Sequence, residues 1–509
     1  MTATPTETGP VESPDVLIVG AGFGGLGMAV RLREAGQPDF VVLEKSDGVG
    51  GTWRENTYPG CACDVASPMY SYSFAPNRSW SRLYSGQPEI LDYIKRVVKE
   101  HDLERYIRYG CEAVSFRFDE VTDRWVVHTR SGQEFRPRIV VLASGVLHKP
   151  NVPDFPGVER YAGTVFHSAD WDHSVDLAGK RIAVIGTGAS AVQFIPEIAR
   201  TAREVVVFQR NAHWLLPKAD RPLSAFEHRM FAALPFTQRL YRMLAYWTHE
   251  VPVLAFLNPR FLKPLAAASR RMLEKQVPDP ELRAKLEPSY TIGCKRILLT
   301  NDYLPALMRP NVDLTTSRIE SFTETGIQTV DGAHHEADVV ILGTGFTTGT
   351  RFADERISGL AGETIQDAWR DGMTAYLGMT VSRFPNMFLI MGPNSGGGAQ
   401  SILFVIENQI RYIVDCLRLM KSRRATRMEV RADVQRSFNA GIHAKLAKSV
   451  WNSGGCDSWF LDHTGHNRQS WPGTGTGYRR ATRQPDARAF TLSNAATREL
   501  VSDVLTVRQ

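Results

Sequence analysis

The chain has 509 residues, of which 43% are hydrophobic and 22% are charged, and this length predicts more than one domain. A net charge of +6 is small for that length; it argues against a nucleic-acid-binding protein and suits anionic small molecules. Six cysteines are too few for a disulfide framework, which indicates a reducing, cytoplasmic compartment. The sequence has no run of 18 apolar residues and predicts no transmembrane segment.

The Pro- and Thr-containing leader, residues 1–15, has no basic or apolar stretch, so we expect a short disordered arm and not a signal peptide. The stretch DVLIVGAGFGGLGMAVRLREAG then predicts a strand over Asp15–Val19, a tight turn and a helix. Gly20, Gly22 and Gly25 have G-x-G-x-x-G spacing, which lets a pyrophosphate approach the helix N-terminus. The next strand, FVVLEK, carries Glu44 where a carboxylate can bind ribose hydroxyls, so this unit predicts a dinucleotide site.

A second unit of the same kind follows in KRIAVIGTGASAVQFIPEIAR, with Gly186, Gly188 and Ala191 in the glycine pattern. Its next strand, EVVVFQRN, carries Arg210 in place of an acid. A guanidinium can pair with a 2′-phosphate that a carboxylate would repel, so we expect NADPH at this site. The alternative interpretation is that Arg210 is only a solvated charge at the strand end.

Apolar runs at Arg138–Gly145 and Ala337–Phe346 are predicted to return each unit to its sheet. Pro222–Leu286 is rich in helix formers and lacks a strand pattern, which predicts a helical insertion. Its mixed aromatic and basic residues are compatible with contact to a membrane surface, but packing over a substrate entrance is the favoured interpretation. A further helix, about Ser401–Met420, follows a glycine run whose backbone can face an anion, and there we expect the chain to return to the first domain.

Between the two glycine turns lies YAGTVFHSADWDHS, in which Tyr161, Gly163, His167, Trp171 and Asp172 are spaced as in one family fingerprint. This stretch resembles the F-x-G-x-x-x-H-x-x-x-W-D pattern of class B flavoprotein monooxygenases, specifically the Baeyer–Villiger monooxygenases, with tyrosine in the first place. The segments GGTWRENTYPGCACD (50–64) and GCKR (293–296) are similar to further motifs of that family. The resemblance covers nearly the whole chain.

The resemblance implies an α/β fold with two Rossmann-like domains, one for FAD and one for NADPH, and a helical insertion. The expected boundaries are an FAD domain over 12–150, an NADPH domain over 151–221, the insertion over 222–290, the NADPH return over 291–384, and the FAD return with a C-terminal loop over 385–509. It also implies that FAD reduced by NADPH reacts with O2 at C4a, and that the peroxyflavin converts a small apolar ketone into an ester or lactone. We expect no metal site.

By the same resemblance, Arg296 stabilises negative charge at the reacting centre, Asp64 holds Arg296, and Lys295 reaches the NADPH phosphate. Trp459 corresponds to a tryptophan that covers the nicotinamide. His167 is expected on an interdomain linker, either coupling nucleotide binding to domain rotation or acting as a satisfied buried histidine. The remaining predicted cofactor contacts are Phe23, Lys45, Gly51, Thr52, Trp53, Tyr70, Thr187, Ala189, Ser190, Gln193 and Asn211.

Two alternatives to ketone oxidation remain open from the sequence. One is a flavin monooxygenase that oxygenates sulfur or nitrogen in small apolar substrates, for which a sulfide would replace the ketone. The other is a redox sensor that binds FAD and NADPH and consumes neither. By itself, a dipeptide such as Lys295–Arg296 is usually a surface basic pair, and only the family resemblance assigns it a role.

Overall fold

Each glycine turn leaves the central strand of its own parallel sheet. The computed structural model describes residues 11–348, 355–396 and 401–494. Residues 1–10 of the predicted arm, and Gly397 and Gly398 of the glycine run before the last long helix, lie outside the described residues.

The first sheet has five parallel strands, in the order Met387–Leu389, Ile139–Leu142, Val16–Val19, Phe40–Leu43 and Ile107–Arg108. Its central strands are buried except at Val19, which is half-buried, and this explains why they are continuous apolar runs and not alternating ones. Met387–Leu389 comes from late in the chain, so the sheet is completed by a segment more than 240 residues after its neighbour Ile139–Leu142 (387 − 142 = 245).

The second sheet also has five parallel strands, in the order Val312–Thr315, Glu204–Phe208, Arg181–Ile185, Val339–Leu342 and Thr164–His167. The predicted linker therefore differs from the observed structure, because its Thr164–His167 part is the edge strand of this sheet. The physical reason is its composition, since Thr164, Val165 and Phe166 favour an extended, half-buried chain.

Smaller sheets flank the two large ones. A four-stranded sheet has the order Arg356–Ser358, Ala113–Asp119, Arg124–Thr129 and Glu134–Phe135, and a three-stranded antiparallel sheet comprises Ile319–Phe322, Gly326–Thr329 and His334–Glu336. The two-stranded pairs are Leu215–Leu216 with Leu298–Leu299, and Arg427–Val430 with Phe490–Ser493.

The longer helices cover the sheets and build the insertion. They are Phe23–Glu34, Gln87–Glu100, Ala189–Ile198, Ala225–Ala233, Pro235–Leu257, Lys263–Gln276, Ile402–Ser422 and Ala432–Leu446. Shorter helices are Thr52–Glu55, Pro280–Leu286, Tyr303–Leu307, Ile365–Ala368, Val450–Ser453 and Gly475–Ala481. No helix in the described part of the chain is both long and apolar enough to cross a bilayer.

The first-turn helix, Phe23–Glu34, packs against Ile402–Ser422 in the core below the first sheet. Gly27 makes this close approach possible: a Cβ there would lie 2.9 Å from both Ile410 Cδ1 and Tyr72 Cε1. The predicted helical character of Pro222–Leu286 is confirmed.

Candidate active site

The first glycine turn is shaped by contacts that a side chain would destroy. Gly20 has φ +101°, and a Cβ there would lie 2.8 Å from the carbonyl oxygen of Ala143. A Cβ on Gly25 would collide with the carbonyl oxygen of Gly20. Gly22 faces Gly51, and a Cβ added to Gly51 would lie 3.2 Å from Gly22 Cα. No side chain in the described structure caps the helix that begins at Phe23. The turn therefore fits the pyrophosphate of a dinucleotide such as FAD.

Glu44 is buried at the end of the strand beside this turn, with 5% of its surface exposed. Its Oε2 accepts a hydrogen bond from the Ala21 amide at 2.7 Å, and its Oε1 accepts one from the Ser46 amide at 2.9 Å. Each carboxylate oxygen has a second lone pair. Glu44 thus fixes the glycine turn and keeps acceptor capacity for a ribose hydroxyl, whereas neighbouring Lys45 pairs with Glu55 at 3.2 Å.

An aromatic group borders the same turn. Trp53, in the helix Thr52–Glu55 that Gly51 precedes, donates from Nε1 to Tyr70 Oη at 3.0 Å. Phe23 meets the Tyr70 ring edge-on, at 5.6 Å between centroids. Burial raises the pKa of Tyr70 well above its ordinary value, so the phenol stays neutral. Sequence-predicted cofactor residues from three separate segments therefore lie together.

The second glycine turn repeats the pattern at the second sheet. Gly186 has φ +111°, and a Cβ there would collide with the Gly343 carbonyl oxygen. Gly188 precedes the helix Ala189–Ile198, which no described side chain caps, and the space around its missing Cβ is open to 4 Å. Thr187 Oγ1 donates to the Asn211 carbonyl at 3.3 Å, joining the turn to the end of the next strand. The arrangement fits a second dinucleotide.

Two cations converge beside this second turn. Burial first, and the charge of Arg210 second, lower the pKa of Lys295 below its ordinary value. His213, which the sequence analysis missed, is largely buried nearby; burial and the Lys295 charge lower its pKa to about 4, so it is neutral at pH 7. Mutual repulsion between Lys295 and Arg210 is relieved when an anion lies between them, which is the expected arrangement for a 2′-phosphate.

Arg296 and Asp64 form the predicted ion pair, although they are separated by 232 residues in sequence. Arg296 donates from Nε at 2.9 Å and from Nη2 at 2.5 Å, both to Asp64 Oδ2. The side chains are 50% and 30% exposed, so they face open space in this structure. The charge of Asp64, as the largest cause, raises the pKa of Arg296 above its ordinary value against the opposing effect of burial, and Cys63 and Tyr70 lie near the guanidinium.

A hydrogen-bonded bridge joins the two nucleotide units next to this pair. Gln193, from the helix after the second turn, accepts at Oε1 from the Tyr58 hydroxyl at 3.1 Å and from the Ala62 amide at 3.2 Å. Its Nε2 donates to the Ala62 carbonyl at 3.0 Å. The Gln193 amide thus binds the 58–62 loop through three hydrogen bonds. Tyr58 is a bridging residue for which the sequence predicted no role. Ser190, on the same helix, also contacts the Tyr58 hydroxyl.

One fingerprint residue, Trp171, packs against this bridge. Trp171 packs on Phe194 with ring centroids 5.4 Å apart and on Tyr58 at 6.5 Å. His167 ends the edge strand, where its Nδ1 accepts from the Ala169 amide at 3.0 Å, and burial lowers its pKa. Asp172 accepts from the Ser174 amide and hydroxyl in a local turn.

Gly163 and Tyr161 close the start of the fingerprint. A Cβ on Gly163 would collide with the Tyr161 hydroxyl, which donates to the Ala337 carbonyl at 2.9 Å. The fingerprint therefore packs one sheet edge against the 58–62 loop, and none of the five residues contacts Arg296.

One disulfide bond departs from the expectation drawn from the cysteine count. Cys294, beside Lys295 and Arg296, is bonded to Cys456, 162 residues later, whereas Cys61, Cys63, Cys111 and Cys416 are free thiols. Burial raises the pKa of the Cys61 thiol to about 11, consistent with a packing role. Trp459, three residues after Cys456, is 42% exposed. The bond links the Arg296 segment covalently to the predicted C-terminal loop. The one feature of the sequence that could have indicated the bond is the cysteine directly before the Lys-Arg pair.

Comparison with known proteins agrees with this site. A family model described as flavin-binding monooxygenase-like matches residues 14–367. A Baeyer-Villiger monooxygenase of Pseudomonas aeruginosa is 44% identical, over 94% of this chain and 91% of that protein, and one of Streptomyces coelicolor is 43% identical, over 93% and 92%. A steroid monooxygenase bound to NADP has a TM-score of 0.86 at 31% identity, covering 94% of this chain and 99% of that one.

A structure described as OTEMO in complex with FAD and NADP has a TM-score of 0.85 at 26% identity and covers 94% of this chain and 99% of that one. The predicted fold class, with two Rossmann-like domains, and the predicted cofactors FAD and NADPH are confirmed. The sulfur- or nitrogen-oxygenating enzyme and the redox sensor are not favoured by these relatives. The chain belongs to the flavin-binding monooxygenase-like family and, within it, to the Baeyer–Villiger monooxygenases.

Proposed function

We propose that this protein uses NADPH and O2 to insert one oxygen atom next to the carbonyl of a small apolar ketone, giving an ester or lactone, with Arg296 and Asp64 as its central pair. The observation that carries the proposal is the Arg296–Asp64 ion pair, which lies near Tyr70 of the first turn's aromatic border and whose arginine directly follows Lys295 in sequence. Bound FAD supplies the reactivity toward O2 that amino-acid side chains lack. The protein's own residues bind, orient and stabilise charge.

Arg296 has donors to spare for this task. A guanidinium has five N–H groups, and here two of them meet a single oxygen of Asp64. The other donors are free to face an oxygen that gains negative charge when a ketone carbonyl becomes tetrahedral. Because arginine stays protonated at all relevant pH values, it stabilises that oxygen without a proton transfer of its own.

Asp64 fixes the direction of that charge. Binding through Nε and Nη2 holds the guanidinium plane, which a single contact at the tip of a flexible side chain would not do. We assign Asp64 as a positioning residue for Arg296. The pair is half-exposed, so its own contribution to folding stability is small, and its value is geometric.

Coenzyme choice rests on the other end of the site. Arg210 and Lys295 are proposed to bind the 2′-phosphate of NADPH. Burial is the larger cause of the lowered pKa of Lys295 and the charge of Arg210 the second, so the two cations lie close enough to share one anion. Trp459 is proposed to cover the nicotinamide. We place the protein in the cytoplasm, where NADPH is available.

A panel of cyclic and aryl ketones, with matched sulfides, tests the proposed reaction. Purified protein with FAD is supplied with NADPH, and oxygen uptake is measured together with products by gas chromatography and mass spectrometry. We expect ester or lactone from at least one ketone, in proportion to NADPH consumed. Sulfoxide without ester across the whole panel, or peroxide as the sole product of oxygen uptake, would exclude the proposed reaction.

A further inference from the structure

The insertion exposes a continuous apolar face. On the helix Pro235–Leu257, large side chains that are about half exposed or more recur at helical spacing: Phe236 (61%), Leu240 (47%), Met243 (50%), Leu244 (56%), Trp247 (52%) and Leu254 (53%). At 100° per residue these positions fall within a stripe about 100° wide, and at ~1.5 Å per residue it is about 27 Å long. Phe226 and Phe261, 73% and 67% exposed, extend the face on flanking elements.

Polar contacts outside the stripe hold the same helix in place: Arg242 lies roughly opposite the stripe, and Tyr246 and Glu250 lie along its flank. Arg242 donates to the Ser71 carbonyl at 2.6 Å, and Tyr246 hydrogen-bonds Thr476 at 2.9 Å. Buried Glu250 accepts from the amides of Gly475 and Thr476 at 3.0 and 2.7 Å. The exposed stripe is therefore fixed in its outward direction by polar contacts that a rotation of the helix would break.

The charge around the stripe has one sign. Between Pro222 and Leu273 the sequence contains two acidic residues, Glu227 and Glu250. Glu227 is paired with Arg221 and caps its own helix, and Glu250 is buried, so neither presents free negative charge. Exposed basic side chains without a carboxylate partner among the described residues lie on this helix and on the segments that flank it in sequence: Arg229, Arg239, Arg260 and Lys263.

We propose that this face, defined by Phe236, Leu240, Met243, Leu244, Trp247 and Leu254 with its basic rim, docks on a bilayer surface that contains anionic phospholipid. A stripe of large apolar side chains with a tryptophan near its centre, flanked by unpaired cations, is the pattern of a helix lying in the membrane interface. Each rim cation near an anionic leaflet adds electrostatic attraction. A second copy of the chain is the less favourable occupant, because a symmetric interface would bring two basic rims together.

Vesicle flotation with the FAD-loaded protein tests the proposal. Vesicles of phosphatidylcholine alone are compared with vesicles that also contain phosphatidylglycerol, at low and high salt. We expect flotation with the anionic vesicles, weakened at high salt, and little with phosphatidylcholine alone. Brominated phospholipid should quench the fluorescence of the wild-type protein and quench that of Trp247→Phe less, a readout that needs no disruptive variant.

Three variants separate the contributions. Leu240→Ser/Trp247→Ser removes apolar contact, and Arg239→Glu/Lys263→Glu reverses rim charge; each should weaken binding to anionic vesicles by at least tenfold while FAD content and NADPH oxidation stay at the wild-type level. Val121→Ser, at an apolar residue 85% exposed outside the insertion, is the matched control and should bind as wild type. Failure of the wild-type protein to bind anionic vesicles would overturn the proposal. So would a dimer seen by light scattering that Leu240→Ser/Trp247→Ser dissociates, since that result assigns the face to self-association.

Discussion

Gln193 and Ala62 form a two-way hydrogen bond between the second nucleotide unit and a loop of the first: the side-chain amide accepts from the Ala62 N–H at 3.2 Å and donates to its carbonyl at 3.0 Å. The Gln193 side-chain amide thus bonds both the N–H and the C=O of Ala62, as a neighbouring backbone strand would do. Asp64, which holds Arg296, is two residues further along the same loop. The position of Arg296's partner therefore depends on a residue of the NADPH side.

Replacing Gln193 should disturb coenzyme handling more than flavin binding. Gln193→Leu leaves the Ala62 amide and carbonyl without these partners, and we expect a loss of about 1–2 kcal/mol in the free energy of unfolding. FAD content should be unchanged, and flavin reduction by NADPH in anaerobic stopped flow should slow. Gln193→Glu keeps the acceptor and loses the donor, so its rate of flavin reduction should fall between those of the wild-type protein and of Gln193→Leu. Wild-type reduction rates in Gln193→Leu would show that the bridge does not orient the domains.

Substitutions in the two glycine turns should separate the two cofactors. In Gly22→Val the added carbons fill the gap toward Gly51, so the protein should be purified without FAD. In Gly188→Val the surroundings are open, so the fold and the flavin should be retained while NADPH affinity falls. Flavin absorbance and coenzyme titration measure both. Full flavin content in a folded Gly22→Val protein would mean that the first turn does not bind FAD.

Arg210 should govern the choice between NADPH and NADH. A charge-assisted hydrogen bond contributes about 1.5–3 kcal/mol, or roughly ten- to a hundredfold, so Arg210→Ala should raise the KM for NADPH by that factor and leave the KM for NADH nearly unchanged. Equal effects on both coenzymes would refute the assignment of the 2′-phosphate.

The pH dependence of NADPH binding provides a second test of the same pair. Since burial and Arg210 lower the pKa of Lys295, its charge is lost at a lower pH than for an ordinary lysine, and the KM for NADPH should rise earlier on the alkaline side. Removing the repulsion in Arg210→Ala raises that pKa and should move the alkaline rise to higher pH. An alkaline limb that stays in place in Arg210→Ala would indicate that the two cations do not interact.

The Cys294–Cys456 bond can be tested by mass spectrometry of the alkylated protein. Alkylation of the denatured, unreduced protein should label the four free cysteines, and labelling after reduction should reach all six. Cys456→Ser should lower the free energy of unfolding by about 2–4 kcal/mol and make the segment around Trp459 more sensitive to limited proteolysis. The matched control is Cys111→Ser, at a free buried cysteine. Six labelled cysteines without reduction would exclude the bond in the purified protein.

The parts of this protein with local sequence signals were predictable, and the parts fixed by distant packing were not. Gly20 and Gly22 in the first unit, and Gly186 and Gly188 in the second, have the spacing that a strand–turn–helix unit dictates, so both Rossmann-like units were predictable from pattern alone. The Cys294–Cys456 link joins residues 162 apart, and spacing does not choose such partners.

The same limit applies to smaller features. The short segment Thr164–His167 is equally compatible with a linker and with an edge strand. Only its pairing with Val339–Leu342 identifies it as a strand. Gln193 lies on a helix surface, and its amide was expected to meet a cofactor; its grip on Ala62 depends on how two domains meet.

Ester formed per NADPH consumed by Arg296→Ala is the measurement that tests the central claim most directly. Because removing one oxyanion-stabilising donor costs roughly 10²–10³-fold, ester formation should fall by two or more orders of magnitude while FAD content is unchanged. Arg296→Lys keeps the charge without the planar fork held by Asp64 and should recover only part of the activity. Flavin reduction, followed separately under anaerobic conditions, distinguishes a loss of coenzyme positioning from a loss at the ketone step. An Arg296→Ala protein that converts ketone to ester with wild-type yield per NADPH would contradict the account.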